Sequence, residues 1–132
     1  MKDITQLLEE ADATIAIVGA TDDQNKYGNV IYRDLKKKGF AIFPVNPGHA
    51  TIDGDRCYAS LDDLPVPPSI VNIVTPPKVT NKILRECLRL NYKNIWVQPG
   101  AEDADSLTFL QENSFNYLAR ACIMTRSRQA GS

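Results

Sequence analysis

The chain has 132 residues, 43% hydrophobic and 23% charged, with a formal net charge of −1. That length suits one core and is too short for a second, and the near-neutral balance lacks the electrostatic footprint of a nucleic-acid binder. No apolar run reaches the roughly 20 residues of a membrane span, and the acidic start M-K-D-I-T-Q-L-L-E-E has no signal-peptide core, so a cytoplasmic protein is expected.

The elements follow in chain order. Ile4, Leu7, Leu8 and Ala11 recur at helical spacing behind Asp3 or Thr5 as the cap, giving a short lead-in helix. Thr14 to Val18 is an unbroken apolar run and reads as a strand buried on both faces. It stops at Gly19-Ala20-Thr21, and after a polar loop a helix runs from Lys26 to Lys37 with Tyr27, Val30, Ile31 and Leu35 inward. Gly39 caps that helix behind Lys36-Lys37-Lys38, a solvated end whose cations complement the helix dipole. Phe40 to Val45 is the second strand, closed by Asn46-Pro47-Gly48. A tight turn over Thr51 to Asp55 leads into Arg56, Cys57 and Tyr58, and Ser60 to Leu64 makes one helical turn before Pro65, Pro67 and Pro68.

Ile70 to Val74 is the third strand, stopped by Thr75-Pro76-Pro77, which start a helix burying Val79, Ile83, Leu84, Cys87 and Leu88. Asn94 to Val97 is the fourth strand, Asp103 to Asn113 a helix with Ala104, Leu107 and Leu110 inward, and Tyr117 to Cys122 the fifth strand. Ser127 to Ser132 reads as a frayed end, with Ala130-Gly131-Ser132 as an appended tail. The alternation predicts an α/β fold: one Rossmann-like domain over residues 1–132 with its core at about 14–124. Its five-stranded parallel sheet has order 3-2-1-4-5 and helices on both faces. In such a sheet ligands bind outside the carboxyl ends of the strands, here Gly19-Ala20-Thr21, Asn46-Pro47, Thr75-Pro76-Pro77, Gln98-Pro99-Gly100 and Cys122.

Strand, small-residue turn and helix make a phosphate site from backbone N–H groups and the helix N-terminus. The turn is not the dinucleotide fingerprint, because Thr21 and Gln24 stand where G-x-G-x-x-G needs glycine. NAD sites place an acidic residue at the end of strand 2 to take the ribose hydroxyls, whereas this chain has Asn46, with His49 and Arg56 downstream. An uncharged end suits a phosphorylated ribose, as in coenzyme A or NADP, and the residues exclude neither. Cys57, Cys87 and Cys122 are odd in number without C-x-x-C spacing, so neither a disulfide framework nor a metal centre is expected.

The set I-V-G-A-T, P-V-N-P-G, V-T-P-P, W-V-Q-P-G and A-C-I-M resembles the small CoA-binding proteins of bacteria and archaea. These are similar in turn to the CoA-binding domain of the succinyl-CoA synthetase alpha subunit. The resemblance spans roughly Ile15 to Met124 and implies coenzyme A or acyl-CoA as the ligand. It places Gly19, Ala20 and Thr21 on the phosphates and Lys26 and Tyr27 at the helix start closing over them. It puts Val45, Asn46 and Pro47 around the adenosine, and His49 where synthetases carry a lysine. Thr75, Pro76 and Pro77 flank the other side, and Gln98 stands near the pantetheine arm. Asp22 and Asp23 bring negative charge into this loop and must point away, cap the helix or pair with Lys26.

Each position also has a structural reading. Gly19 permits close strand–helix packing, Asn46-Pro47 forms a turn, Lys26, His49 and Arg56 are surface charges, Trp96 is core, and Cys122 is a small buried hydrophobe. Nothing assembles a nucleophile, base and orienting group, so a non-catalytic CoA-binding module is expected, with an acyl-CoA enzyme as its possible partner. The alternatives are a small NAD(P)-binding oxidoreductase or redox sensor, and an interaction subunit with a vestigial pocket.

Overall fold

The computed structural model describes residues 3–128. Its strands are β1 (Thr14–Val18), β2 (Ala41–Val45), β3 (Thr51–Ile52), β4 (Asp55–Arg56), β5 (Ile70–Ile73), β6 (Asn94–Val97) and β7 (Asn116–Ala119). Its helices are α1 (Ile4–Leu7), α2 (Tyr27–Lys37), α3 (Pro77–Leu90), α4 (Ala104–Glu112) and α5 (Ile123–Arg126), with a 3-10 turn at Leu61–Asp63.

Five strands form one parallel sheet and two a small hairpin, as the α/β reading expects. Strand residues alternate between two apolar layers. Ile15, Ile17, Ile70 and Trp96 pack with Ile31, Tyr32 and Leu35 of α2 on one face, and Ala16, Val18, Val71, Ile73 and Val97 pack with Leu84 and Cys87 of α3 on the other. A strand buried on both faces cannot alternate polar and apolar residues, which is why each sequence run reads as continuous.

The strand order corrects the expectation. It is β2-β1-β5-β6-β7, so the sheet's third strand lies beside the first and not outside the second. The outer rim of β2 is already taken: Tyr58 N–H donates to the Pro44 carbonyl at 2.9 Å and Asn46 N–H to the Tyr58 carbonyl at 2.9 Å. The chain reaches Tyr58 through the β3–β4 hairpin, whose turn residues Asp53 and Gly54 both have positive φ, at 49° and 86°. No helix carries the chain across on that side, and β5 therefore enters at the other edge of β1.

Other boundaries shift. The last strand ends at Ala119, not Cys122, because Arg120 turns into the left-handed region at φ 61° and Cys122 caps α5. Tyr27, Val30 and Val79 are exposed, at 46%, 43% and 41%, and Ala11 and Ala104 also face out. Gly28 and Asn29 of α2, Thr80 of α3 and Ser106 of α4 take the inward places. Ser127 is not frayed: it is buried, and Lys38 Nζ donates to its hydroxyl at 3.0 Å. The remainder of the expected tail, 129–132, lies outside the described residues, as do residues 1–2. Among the described residues no helix is long and apolar enough to cross a membrane.

Candidate functional site

Crossovers leave β1 and β5 in opposite directions, α2 covering one face and α3 the other, so the switch point lies between the carboxyl ends of these two strands. Gly19 fills it. At φ 101°, a Cβ there would stand 2.6 Å from the Val74 carbonyl oxygen, so only glycine lets the chain leave β1 against the end of β5. The start of α2 comes equally close, since a Cβ on Gly28 would lie 2.3 Å from the Gly19 carbonyl oxygen. Asn46 fixes the third side. Its Nδ2 donates to the Ala20 carbonyl at 2.9 Å and its Oδ1 accepts from Gly48 N–H at 2.8 Å.

Around this turn opens a cavity of about 610 Å³. Of the expected site residues it is lined by Gly19, Thr21, Lys26, Tyr27, Val45, Asn46, Pro47, His49, Thr75 and Pro76. Three are placed elsewhere. Ala20 is fully buried and offers only its carbonyl to Asn46, and Pro77 is the first residue of α3 outside the cavity wall. Gln98 is buried and turned inward, its Oε1 accepting from Ile123 N–H at 2.9 Å and its Nε2 donating to Cys122 Sγ at 3.5 Å. The next residues, Pro99, Gly100 and Ala101, line a second cavity of about 390 Å³ that shares Tyr27, Val74, Thr75 and Pro76 with the first.

The amide N–H groups of Thr21, Tyr27 and Gly28 have no acceptor among the described residues, while α2 has no side-chain cap at Lys26. Such donors at a helix start are a ready anion site. The two loop carboxylates leave it clear without pairing with Lys26. Asp22 Oδ1 accepts from Asp53 N–H at 2.8 Å and its Oδ2 lies 3.8 Å from His49 Nδ1, and Asp23 Oδ1 accepts from Asn25 N–H at 3.0 Å. Arg56 lies off the cavity, its guanidinium 4.9 Å from the centre of the Tyr58 ring.

Tyr27 lines both cavities, and its hydroxyl lies 2.9 Å from Cys122 Sγ. That bond, with burial behind it, pushes the phenol up to about 12. Burial alone would raise the Cys122 thiol, yet the bonds from Tyr27, Gln98 and the Met124 and Thr125 amides outweigh it and hold the thiol below its ordinary value. Burial pushes Cys57 up and Cys87 up to about 12.

Sequence reasoning missed Gly28, Val74, Val79, Ile83, Glu86 and the 59–61 segment, all on the cavity wall. A glycine one residue into an amphipathic helix was a usable signal for the first. Nothing local marks Ala59, Ser60 or Leu61, which arrive only because the chain runs back past the end of β2.

The pattern described as a CoA binding domain matches residues 13–128. Over 74 residues the chain is 36% identical to the ADP-forming acetate–CoA ligase of Methanocaldococcus jannaschii, a match covering 56% of this chain and 10% of that protein. The uncharacterized protein YneT of Bacillus subtilis is 26% identical over 124 residues, 92% of this chain and 89% of its own. A conserved hypothetical protein from Pyrococcus furiosus superimposes with a TM-score of 0.84 at 39% identity, covering 87% of this chain and 99% of the other. The chain thus spans only about a tenth of the ligase it matches, and nearly the whole of the small proteins. With residues 13–128 accounted for, the chain belongs to the CoA-binding domain family.

Proposed function

We propose that the protein is a cytoplasmic, non-catalytic binder of coenzyme A, free or acylated. The diphosphate sits on the amides of Thr21, Tyr27 and Gly28. The adenosine lies between the end of β2 and α3, and the pantetheine arm passes Tyr27 into the second cavity.

One observation carries the reading: unpaired amides at the sheet's switch point face a strand end that is neutral and already committed. Asn46 spends both ends of its amide on Ala20 and Gly48, so no acidic group awaits the free ribose diol of NAD. Lys26 and His49, the two basic side chains on the wall, stand beside the same turn and favour a phosphorylated ribose. Membership of the family supports coenzyme A over NADP. The likeness to part of an acetate–CoA ligase favours a partner that makes or uses acyl-CoA.

Thermal-shift measurements with coenzyme A, acetyl-CoA, NAD, NADP and ATP test the proposal. A ligand with Kd near 1 µM at hundredfold excess stabilises the fold by about 2.7 kcal/mol. A shift with the CoA compounds alone supports it; a flat response to them, or an equal response to NAD, overturns it.

A further inference from the structure

The geometry points to Glu86 as the residue that reads the base, an assignment that rests on the coenzyme A reading above. Away from the phosphate turn the cavity is lined by Ala59, Ser60 and Leu61 at the 3-10 turn and by Val79, Ile83 and Glu86 of α3. Positions 79, 83 and 86 fall in one stripe along a helix. Val79 is left 41% exposed on that stripe although Leu84 and Cys87, on the neighbouring face, are fully buried. The apolar side chains Leu61, Val79 and Ile83 on this part of the lining suit a flat aromatic ring.

Among the described residues Glu86 is the only acidic one on the cavity wall, and its carboxylate has no hydrogen-bond partner or ion pair within 4.0 Å. Of its basic helix neighbours, Lys82 makes no ion pair with it within 4.0 Å, and Arg89 feels its charge but gives both guanidinium nitrogens to Asp62, at 3.0 and 2.9 Å. That fork ties α3 to the 3-10 turn beside this part of the lining. At about 1.5 Å per residue, Glu86 lies roughly 14 Å along α3 from Pro77, well away from the turn that must hold negative phosphate. A carboxylate only accepts hydrogen bonds, so beside an apolar surface it selects a base that presents an amino group. Adenine offers its exocyclic amine there. Hypoxanthine, nearly identical in shape, places at that position a carbonyl oxygen that the carboxylate repels, and its one donor on that edge, N1–H, sits one ring atom further round.

Titration calorimetry with adenosine 3′,5′-bisphosphate and inosine 3′,5′-bisphosphate, beside coenzyme A itself, decides the matter. The wild-type protein is expected to bind the adenosine compound about tenfold more tightly, the scale of one hydrogen bond to a charged group. In Glu86→Gln, whose amide can donate to the carbonyl of hypoxanthine, the preference should shrink to within about twofold, and Glu86→Ala should lose it through weaker adenosine binding. A wild-type protein that binds coenzyme A but shows no base preference, or variants that keep it, would overturn the role of Glu86 and leave the coenzyme A reading standing. Failure of the wild type to bind coenzyme A would overturn both.

Discussion

Gly28 stands so close to Gly19 that a methyl group on it would lie 2.3 Å from the Gly19 carbonyl oxygen. The contact is backbone against backbone, so no side chain can swing aside to relieve it. Gly28→Ala must push α2 away from the turn. It is expected to cost about 1–3 kcal/mol of stability, the range for overpacking, and to weaken coenzyme A more than tenfold by displacing the amides of Tyr27 and Gly28. Urea denaturation and calorimetry read the two effects. Tight binding in spite of the loss of stability would show that the helix start does not hold the diphosphate.

Asn46 ties the end of β2 to the turn after β1. Asn46→Ala removes bonds at 2.9 and 2.8 Å, each worth about 0.5–1.5 kcal/mol net. A rise of about tenfold in the Kd for coenzyme A is expected. Asn46→Asp keeps the acceptor for Gly48 but sets a carboxylate against the Ala20 carbonyl and near the ribose phosphate, and should weaken binding further. If NAD binding appears in that variant, the neutral strand end is what excludes it.

Much of this was legible. The strand runs, the turn at Gly19 and ten of the thirteen expected site residues come together in one cavity because a two-face-buried strand and its closing residues are local signals. The strand order β2-β1-β5-β6-β7 is not a local signal, although Pro44 carries a clue to it. Proline lacks an N–H, and strand proline belongs at a sheet edge with that missing donor facing outward. In β2 the Pro44 carbonyl points out to Tyr58, so its nitrogen does too, and no bond to β1 is lost. Gln98 sits where its neighbours suggested, but its side chain serves the chain end; a partner 25 residues away, Ile123, leaves no local trace. Val79 and Val30 fit a buried helical stripe by spacing, yet the first faces the cavity and the second solvent.

Cys122 is the thiol predicted to react first. Its value is held below the ordinary one while Cys57 and Cys87 are pushed up, and only the thiolate is nucleophilic. Iodoacetamide at pH 7 should therefore modify Cys122 well ahead of the others, as peptide mass spectrometry would show. Tyr27→Phe removes a donor to the thiolate and should slow that modification at a given pH by several-fold. Faster labelling in the variant would mean that Tyr27 shields the sulfur more than it activates it.

Acid should loosen the fold below about pH 4. Lys36 and the Tyr32 hydroxyl lower Asp55, the Arg89 fork lowers Asp62, the Ser106 amide and hydroxyl lower Asp103, and the Thr5 amide and hydroxyl lower Asp3. A carboxyl lowered in the folded state contributes its stability above the unfolded value, near 3.9, and loses it as pH falls through the lowered one. Urea midpoints should thus be level with respect to these groups from about pH 7 to 5 and drop on further acidification. Asp103→Asn, which can still accept from the Ser106 amide, should make that drop shallower; an unchanged slope would show that this cap does not titrate with folding.

Because Gly19 emerges between the two apolar layers, a molecule seated against it would touch α2 on one side of the sheet and the Thr75–Pro76 start of α3 on the other. Such an occupant acts as a rivet through both layers. Amide hydrogens in the first turns of α2 and α3 would then exchange more slowly together on binding, although the two helices belong to different halves of the interior.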